Sequence, residues 1–209
     1  SRGLGDVYKR QVSSGRFMAG ITLVVANGNW PQSDLVETLL EMSDFTIALD
    51  GAADKFTGWD IVIGDMDSIS NPKEHKANQN QENTDLAKAL EEFDVDAVVG
   101  IGGGRLDHRL GAFSALFETG SDAILYFEGW RACRVDKSGL EIELKKGTVC
   151  SIMPFGFVNK ITLQGTEYEL TEQDLQTSTK GVGNTSVSDV VTVSHEGGDL
   201  LFIWEANEP

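Results

Sequence analysis

Apolar residues in this chain follow two rhythms, and the change between them falls past the middle. In residues 21–127, short unbroken apolar runs alternate with stretches in which apolar residues recur at helical spacing. Residues 21–26, 45–49, 61–63, 97–101 and 123–127 are predicted strands. Residues 31–42 are a predicted helix, with Leu35, Leu39 and Leu40 in step and Pro31 suited to a first helical turn. Residues 84–93, with Leu86, Ala89 and Leu90 on one face, and residues 107–117 are predicted helices as well. Strands apolar on both faces, separated by helices, indicate a mainly parallel sheet covered on both sides.

Beyond about residue 130 the helical spacing stops. Short runs with alternation appear at 141–144, 148–152, 160–163, 190–193 and 200–203, several separated by glycine-containing turns, and residues 173–175 are expected to form a turn. This predicts a small all-β unit, a sandwich in architecture. The expected organisation is therefore α/β plus all-β: a mainly parallel α/β domain over 19–132 and a β-sandwich over 133–209, with the change placed within 129–138. Residues 1–18 are basic, Arg2, Lys9, Arg10 and Arg16 standing against Asp6, and contain no apolar stretch of the signal-peptide kind. They are expected to be a non-native leader or a disordered tail.

Composition narrows the partners. Of 209 residues, 40% are hydrophobic, enough for a core. The 33 acidic residues against 17 basic ones give a net charge of −16. That disfavours non-specific nucleic-acid binding and docking on anionic lipid. No apolar run approaches the ~20 residues a membrane span needs. Cys133 and Cys150 form no Cys-x-x-Cys pair, so a reduced, cytoplasmic chain without a thiol metal site is expected.

The candidate chemistry clusters just after predicted strand ends, where ligands bind in open α/β sheets. Gly64-Asp65-Met66-Asp67-Ser68 sets two carboxylates two residues apart in a loop. Such a pair can hold one hard cation, typically Mg²⁺ shared with substrate phosphates, or it can simply be a polar turn. In Glu82-Asn83-Thr84-Asp85, Thr84 can cap the following helix, and the acids suit its N-terminus. Alternatively, Glu82 and Asp85 complete a magnesium site with Asp65 and Asp67. In Gly102-Gly103-Gly104-Arg105-Leu106-Asp107-His108, glycines permit close backbone approach to a phosphate and Arg105 can grip its oxygens. The spacing matches neither the dinucleotide fingerprint nor a P-loop. Asp50-Gly51-Ala52 follows the second strand; Asp50 can meet a nucleotide hydroxyl or a cationic group, or cap the next helix.

Taken together and in this order, these motifs resemble the thiamin pyrophosphokinase family. The matching residues are Asp50-Gly51-Ala52, Gly64 to Ser68, Thr84-Asp85-Leu86 with Lys88-Ala89-Leu90, Gly102-Gly103 with Arg105 to His108, and Lys180-Gly181-Val182-Gly183-Asn184 as a substrate loop. The resemblance covers residues 21–205. It implies an N-terminal α/β domain, a C-terminal β-sandwich, and a homodimer with sites at the subunit interface. It implies transfer of a diphosphoryl group from ATP to the hydroxyl of thiamine, giving thiamine diphosphate and AMP. On this resemblance Asp65, Asp67, Glu82 and Asp85 hold Mg²⁺. Asp50, Gly51, Gly102, Gly103, Arg105 and His108 bind ATP, and Asp107 orients or deprotonates the attacking hydroxyl. Tyr168, Gly183 and Asn184 bind thiamine, Tyr168 by stacking and Asn184 by pairing with the aminopyrimidine. The chain departs from the family pattern at Gly183, where a serine is usual, and at Glu82, often an aspartate. Two other readings remain: a different magnesium-dependent phosphotransferase or phosphohydrolase, and a non-catalytic nucleotide or thiamine sensor.

Overall fold

A computed structural model describes residues 20–64 and 83–206. The chain divides into two compact units, one spanning Gly20–Arg134 and one containing the residues from Val135 onward.

In the first unit the apolar runs form β1 (Ile21–Val25), β2 (Ser43–Leu49), β3 (Ile61–Ile63), β4 (Ala97–Val99) and β5 (Ile124–Phe127). They pair in the order β3-β2-β1-β4-β5, all parallel. A sixth strand, β6 (Trp130–Arg134), which the apolar pattern does not mark, turns back antiparallel to β5. The central strands are buried apart from Thr22, which is half-buried, and Leu23, Val24, Val25, Ala97, Val98 and Val99 are fully enclosed. That burial explains why these segments read as continuous apolar runs rather than alternating ones.

The helices are α1 (Ser33–Met42), α2 (Asp85–Glu92) and α3 (Leu106–Thr119). Helix α1 starts two residues after Pro31, with Asp34 in its first turn, and runs straight into β2 without a loop. Helix α2 is capped by Thr84, whose hydroxyl accepts from the Ala87 N–H at 3.2 Å. Helix α3 ends at Gly120, which takes the left-handed conformation a helix stop favours. Predicted strand 97–101 stops at Val99, because Gly100 turns the chain with φ +78°.

The second unit is all antiparallel strand: β7 (Leu140–Glu143), β8 (Val149–Gln164), β9 (Leu170–Leu175), β10 (Asn184–Thr185), β11 (Val190–Ser194) and β12 (Gly197–Glu205). The runs at 148–152 and 160–163, expected as separate strands, belong to one 16-residue strand, β8. Residues 150–159 of β8 pair with β12, and 158–164 pair with β9 and β11, while β7 extends the sheet beyond β11. The turn expected at 173–175 is instead the end of β9: Gln173 and Leu175 pair with Ile161 and Val158 of β8. Gln173-Asp174-Leu175 had too little alternation to register as strand. Leu163, Ile161, Ile152, Val193 and Phe202 form the core of this unit.

Candidate functional site

Where parallel strands are ordered 3-2-1-4-5, the order reverses between β1 and β4, and ligands bind in the crevice there. In this chain the two loops at that point are stitched together. The Gly28 N–H donates to the Gly100 carbonyl at 2.6 Å and the Asn29 N–H to the Gly102 carbonyl at 2.7 Å. A side chain at Gly28 would overlap the carbonyls of Gly100 and Gly102, and one at Gly100 would overlap the Ala26 carbonyl. Gly28 and Gly100 therefore serve loop-on-loop contact.

Beside this seam lies a cavity of about 630 Å³. Its walls are residues 26–28 after β1, Leu49 and Asp50 at the end of β2, residues 100–105 after β4, and the first turns of α2 and α3. Of the glycines expected to cradle phosphate, Gly102 packs on the Asn29 carbonyl and Gly103 on the Asn29 side chain, whereas Gly104, at φ +59°, faces open space. Gly51, assigned to ATP by the resemblance, lies in a short 3-10 segment, Asp50–Asp54, where it is buried and does not border the cavity.

Four cationic or potentially cationic side chains border the cavity: Lys88 from α2, and Arg105, His108 and Arg109 from the start of α3. Lys88 is 6% exposed, and its ammonium donates to Asp85 Oδ1 at 2.9 Å. The pair spans i to i+3 on one helix face, with Asp85 at the N-terminus, where the helix dipole favours an anion. Arg105 and Asp107 hold each other on the surface, with Nε donating to Oδ1 at 3.1 Å and Nη2 to Oδ2 at 2.5 Å. The hydrogen bond to Arg105 holds the Asp107 carboxyl below the usual carboxylate range, and the same bond raises the Arg105 guanidinium. Both side chains are well exposed, so the pair orients two groups more than it stabilises the fold. Asp50 has a positive φ of +39°, and its Oδ1 is buried without a hydrogen-bond partner. Unsatisfied buried acceptors cost about 1–3 kcal/mol, and such strain collects at ligand sites.

The cavity thus gathers Asp50, Asp85, Gly102, Gly103, Arg105 and His108. Asp107 joins it through Arg105. Asp65, Asp67 and Glu82 lie outside the described residues. Among the described residues, no group of three or more His, Cys, Asp or Glu side chains forms a metal-holding cluster. The carboxylate oxygens of Asp85, together with those of the aspartates in the Gly64–Ser68 motif, are nevertheless the hard donors magnesium prefers. Lys88 and Arg109 also line the cavity, and the sequence motifs assign neither of them a binding role. Lys88 carried a signal, a lysine three residues after Asp85 on the face of Leu86–Leu90 that packs inward. Arg109 carried none, because its placement depends on where α3 begins.

The residues assigned to thiamine lie in the second unit. Tyr168 is 69% exposed. Asn184 was expected to offer its amide to a ligand, but its side chain is buried and engaged with backbone. It accepts from the N–H groups of Tyr168 (3.1 Å) and Thr185 (2.9 Å) and donates to the Tyr168 carbonyl at 2.7 Å. Asn184 therefore holds the turn that displays Tyr168. Gly183 has φ +74° with open space where a side chain would sit, and its N–H donates to Ser151 Oγ at 3.0 Å. A serine at 183 would fit sterically but would strain the backbone.

Comparisons with known proteins bear on both units. The family model described as "Thiamin pyrophosphokinase, catalytic domain" matches residues 36–126, and "Thiamin pyrophosphokinase, vitamin B1 binding domain" matches residues 138–198. No curated protein sequence matches. Among solved structures, a thiamine pyrophosphokinase from Bacillus subtilis is similar at TM-score 0.72 and 24% identity, over 90% of this chain and 99% of that one. A thiamin pyrophosphokinase family protein from Enterococcus faecalis gives 0.73 and 21%, over 90% and 100%. The yeast thiamin pyrophosphokinase gives 0.69 and 16%, over 89% and 86%. At these identities the likeness speaks for the fold.

Proposed function

The chain belongs to the thiamin pyrophosphokinase family, matched in both of that family's domains, and on that premise we propose that the cavity at the sheet edge is its ATP site. The reaction is ATP-dependent diphosphorylation of thiamine, giving thiamine diphosphate and AMP. The observation that carries the siting is the convergence of Lys88, Arg105, His108 and Arg109 on one cavity of a chain whose net charge is −16. A triphosphate needs such a wall, and an acidic surface would otherwise repel it.

Phosphoryl transfer depends mostly on positioning and on charge stabilisation where negative charge develops. Arg105, its Nε and Nη2 held by Asp107, turns the remaining guanidinium N–H groups to phosphate oxygens, and His108 and Arg109 extend the same wall. Gly104 leaves room for an oxygen to approach the backbone. Asp65, Asp67 and Asp85, with Glu82, are the residues that would hold magnesium, which when bound neutralises charge on the phosphates. Lys88 fixes the rotamer of Asp85. Asp107 steadies Arg105 and is the carboxylate available to orient the attacking hydroxyl.

The second unit is read as a β-sandwich that contributes thiamine contacts, with Tyr168 stacking on the heterocycle. Asn184 and Gly183 shape the loop that presents it. A homodimer, with thiamine held between the first unit of one subunit and the second of the other, completes the site. The buried free thiols Cys133 and Cys150 support a reducing, cytoplasmic setting.

Incubation with ATP, magnesium and thiamine, followed by product analysis, tests the reading. AMP and thiamine diphosphate are expected. ADP or free phosphate would indicate a different phosphotransferase or a phosphohydrolase, and binding without turnover a sensor.

A further inference from the structure

We propose that Arg109 is the residue by which this cavity selects a polyphosphate over a monophosphate, so that affinity rises with the number of phosphates on the nucleotide. This rests on reading the cavity as an ATP site and assigns the selection to one side chain that no motif marks.

Lys88, Arg105 and Arg109 border the cavity, and the first two arrive already paired. Lys88 holds Asp85 and Arg105 holds Asp107, so each brings a carboxylate that offsets its charge. Arg109 is exposed, and its side chain has no ion pair or hydrogen bond among the described residues. The sequence explains why. Side chains that face one another on a helix lie three or four residues apart. For Arg109 those neighbours on α3 are Arg105, Leu106, Ala112 and Phe113, and none is an acid. Asp107, two residues before it, has both carboxylate oxygens on Arg105.

The place of Arg109 is unfavourable until an anion arrives. It lies near the start of α3, a 14-residue helix whose N-terminal end favours negative charge. Arg105 stands four residues earlier, and like charges at that spacing repel. No partner among the described residues relieves either cost, although the chain has 33 acidic residues against 17 basic ones. A bound polyanion relieves both. The charge balance points the same way. With histidine counted as neutral, Asp50, Asp85 and Asp107 match Lys88, Arg105 and Arg109. Without Arg109 the described charges in and around the cavity would be net negative and would repel a phosphate chain.

Position along the helix makes Arg109 a reader of length. Arg105 stands at the N-cap of α3, directly after the glycines 102–104. A single phosphate there is met by the free N–H groups of Arg105 and by the loop. Arg109 is one turn, about 5.4 Å, further along the helix, within reach of a longer phosphate chain. Its whole guanidinium fork is open to take two oxygens at once. Asp50, just past the end of β2, repels phosphate and keeps the chain on the helical wall.

The test is calorimetry of AMP, ADP and ATP on the full chain and two variants, with magnesium and without thiamine. Arg109→Gln removes the charge at equal helix propensity, and Arg109→Lys keeps the charge without the fork. The wild type should bind ATP about tenfold or more tighter than AMP, the usual size of a hydrogen bond to a charged group, with ADP between them. Arg109→Gln should weaken ATP by a similar factor and leave AMP within about twofold, so that the preference falls to within about threefold. Arg109→Lys should keep part of the preference. In thermal melts without nucleotide, Arg109→Gln should be at least as stable as the wild type, because the charge it removes opposes the helix dipole and has no partner.

Wild-type binding of AMP and ATP alike overturns the proposal and spares the ATP reading. So does an Arg109→Gln variant that keeps the preference, or one that loses AMP and ATP equally, which would put Arg109 on the phosphate they share. An Arg109→Lys variant no better than Arg109→Gln, or a lower Tm for Arg109→Gln without nucleotide, overturns it as well. Failure of the wild type to bind any of the three overturns both.

Discussion

Replacing Asp85 by asparagine strands Lys88. The Lys88 side chain is 6% exposed, its ammonium lies 2.9 Å from Asp85 Oδ1, and the Asp85 side chain is 28% exposed. At an effective dielectric of ~20, attraction at that separation is about 6 kcal/mol, most of it offset by the cost of desolvating both groups. Removing one partner leaves that desolvation cost uncompensated. Asp85→Asn should therefore destabilise the first unit by about 3 kcal/mol, including a few tenths for the anion lost from the α2 N-terminus. Lys88→Met removes the ammonium and leaves Asp85 partly hydrated, so its cost should be smaller, about 1 kcal/mol. The double variant has no buried charge to strand and should recover most of the Asp85→Asn loss. The signature is this non-additivity, a coupling of about 2 kcal/mol. Amide hydrogen exchange in β1 and β4, run in chelator, reads the opening of this unit without assuming that both units unfold together. Additive effects, or an Asp85→Asn cost below about 1 kcal/mol, would refute the view that Lys88 depends on Asp85.

Gly100→Ala should destabilise the first unit by roughly 3 kcal/mol or more, since the new Cβ overlaps the Ala26 carbonyl at φ +78°. Gly104→Ala, with open space at φ +59°, should cost about 1 kcal/mol, and thermal melts of both variants separate the two roles. Asp107→Asn should leave the Tm unchanged, because the Arg105–Asp107 pair is exposed, yet lower kcat about tenfold or more; an unchanged kcat removes Asp107 from the chemistry. Tyr168→Ala should raise the KM for thiamine at constant Tm. Asn184→Ala should lower stability by about 2 kcal/mol, because it abandons Tyr168 and Thr185 backbone groups. Burial pushes the thiols of Cys133 and Cys150 up to about 12 and about 11, so alkylation at pH 8 should label neither until the chain unfolds.

Local order was legible because it is written locally. Runs such as Leu23-Val24-Val25 and Ala97-Val98-Val99 announce strands buried on both faces, and Thr84 before Asp85 announces a capped helix start. The described motifs at Asp50 and at Gly102 to His108 lie after strand ends, so their place on one edge follows from those strands being parallel. Partner choice is a different matter, because it depends on residues far apart in the chain. Asn184 read as a ligand contact, yet its amide meets Tyr168 sixteen residues away. Gly102 and Gly103 read as a phosphate cradle, and packing sets both against Asn29 across the seam between β1 and β4 as well. Residues 148–164 read as two strands, since Pro154 and Gly156 in the middle of β8 punctuate a stretch that pairing with β12 carries across. Hydrophobic period and turn chemistry are properties of neighbouring residues and survive in sequence. Which buried donor meets which acceptor, and which carboxylate is left without one at Asp50, is decided only when distant segments pack, because every buried polar group must then find a partner or go without.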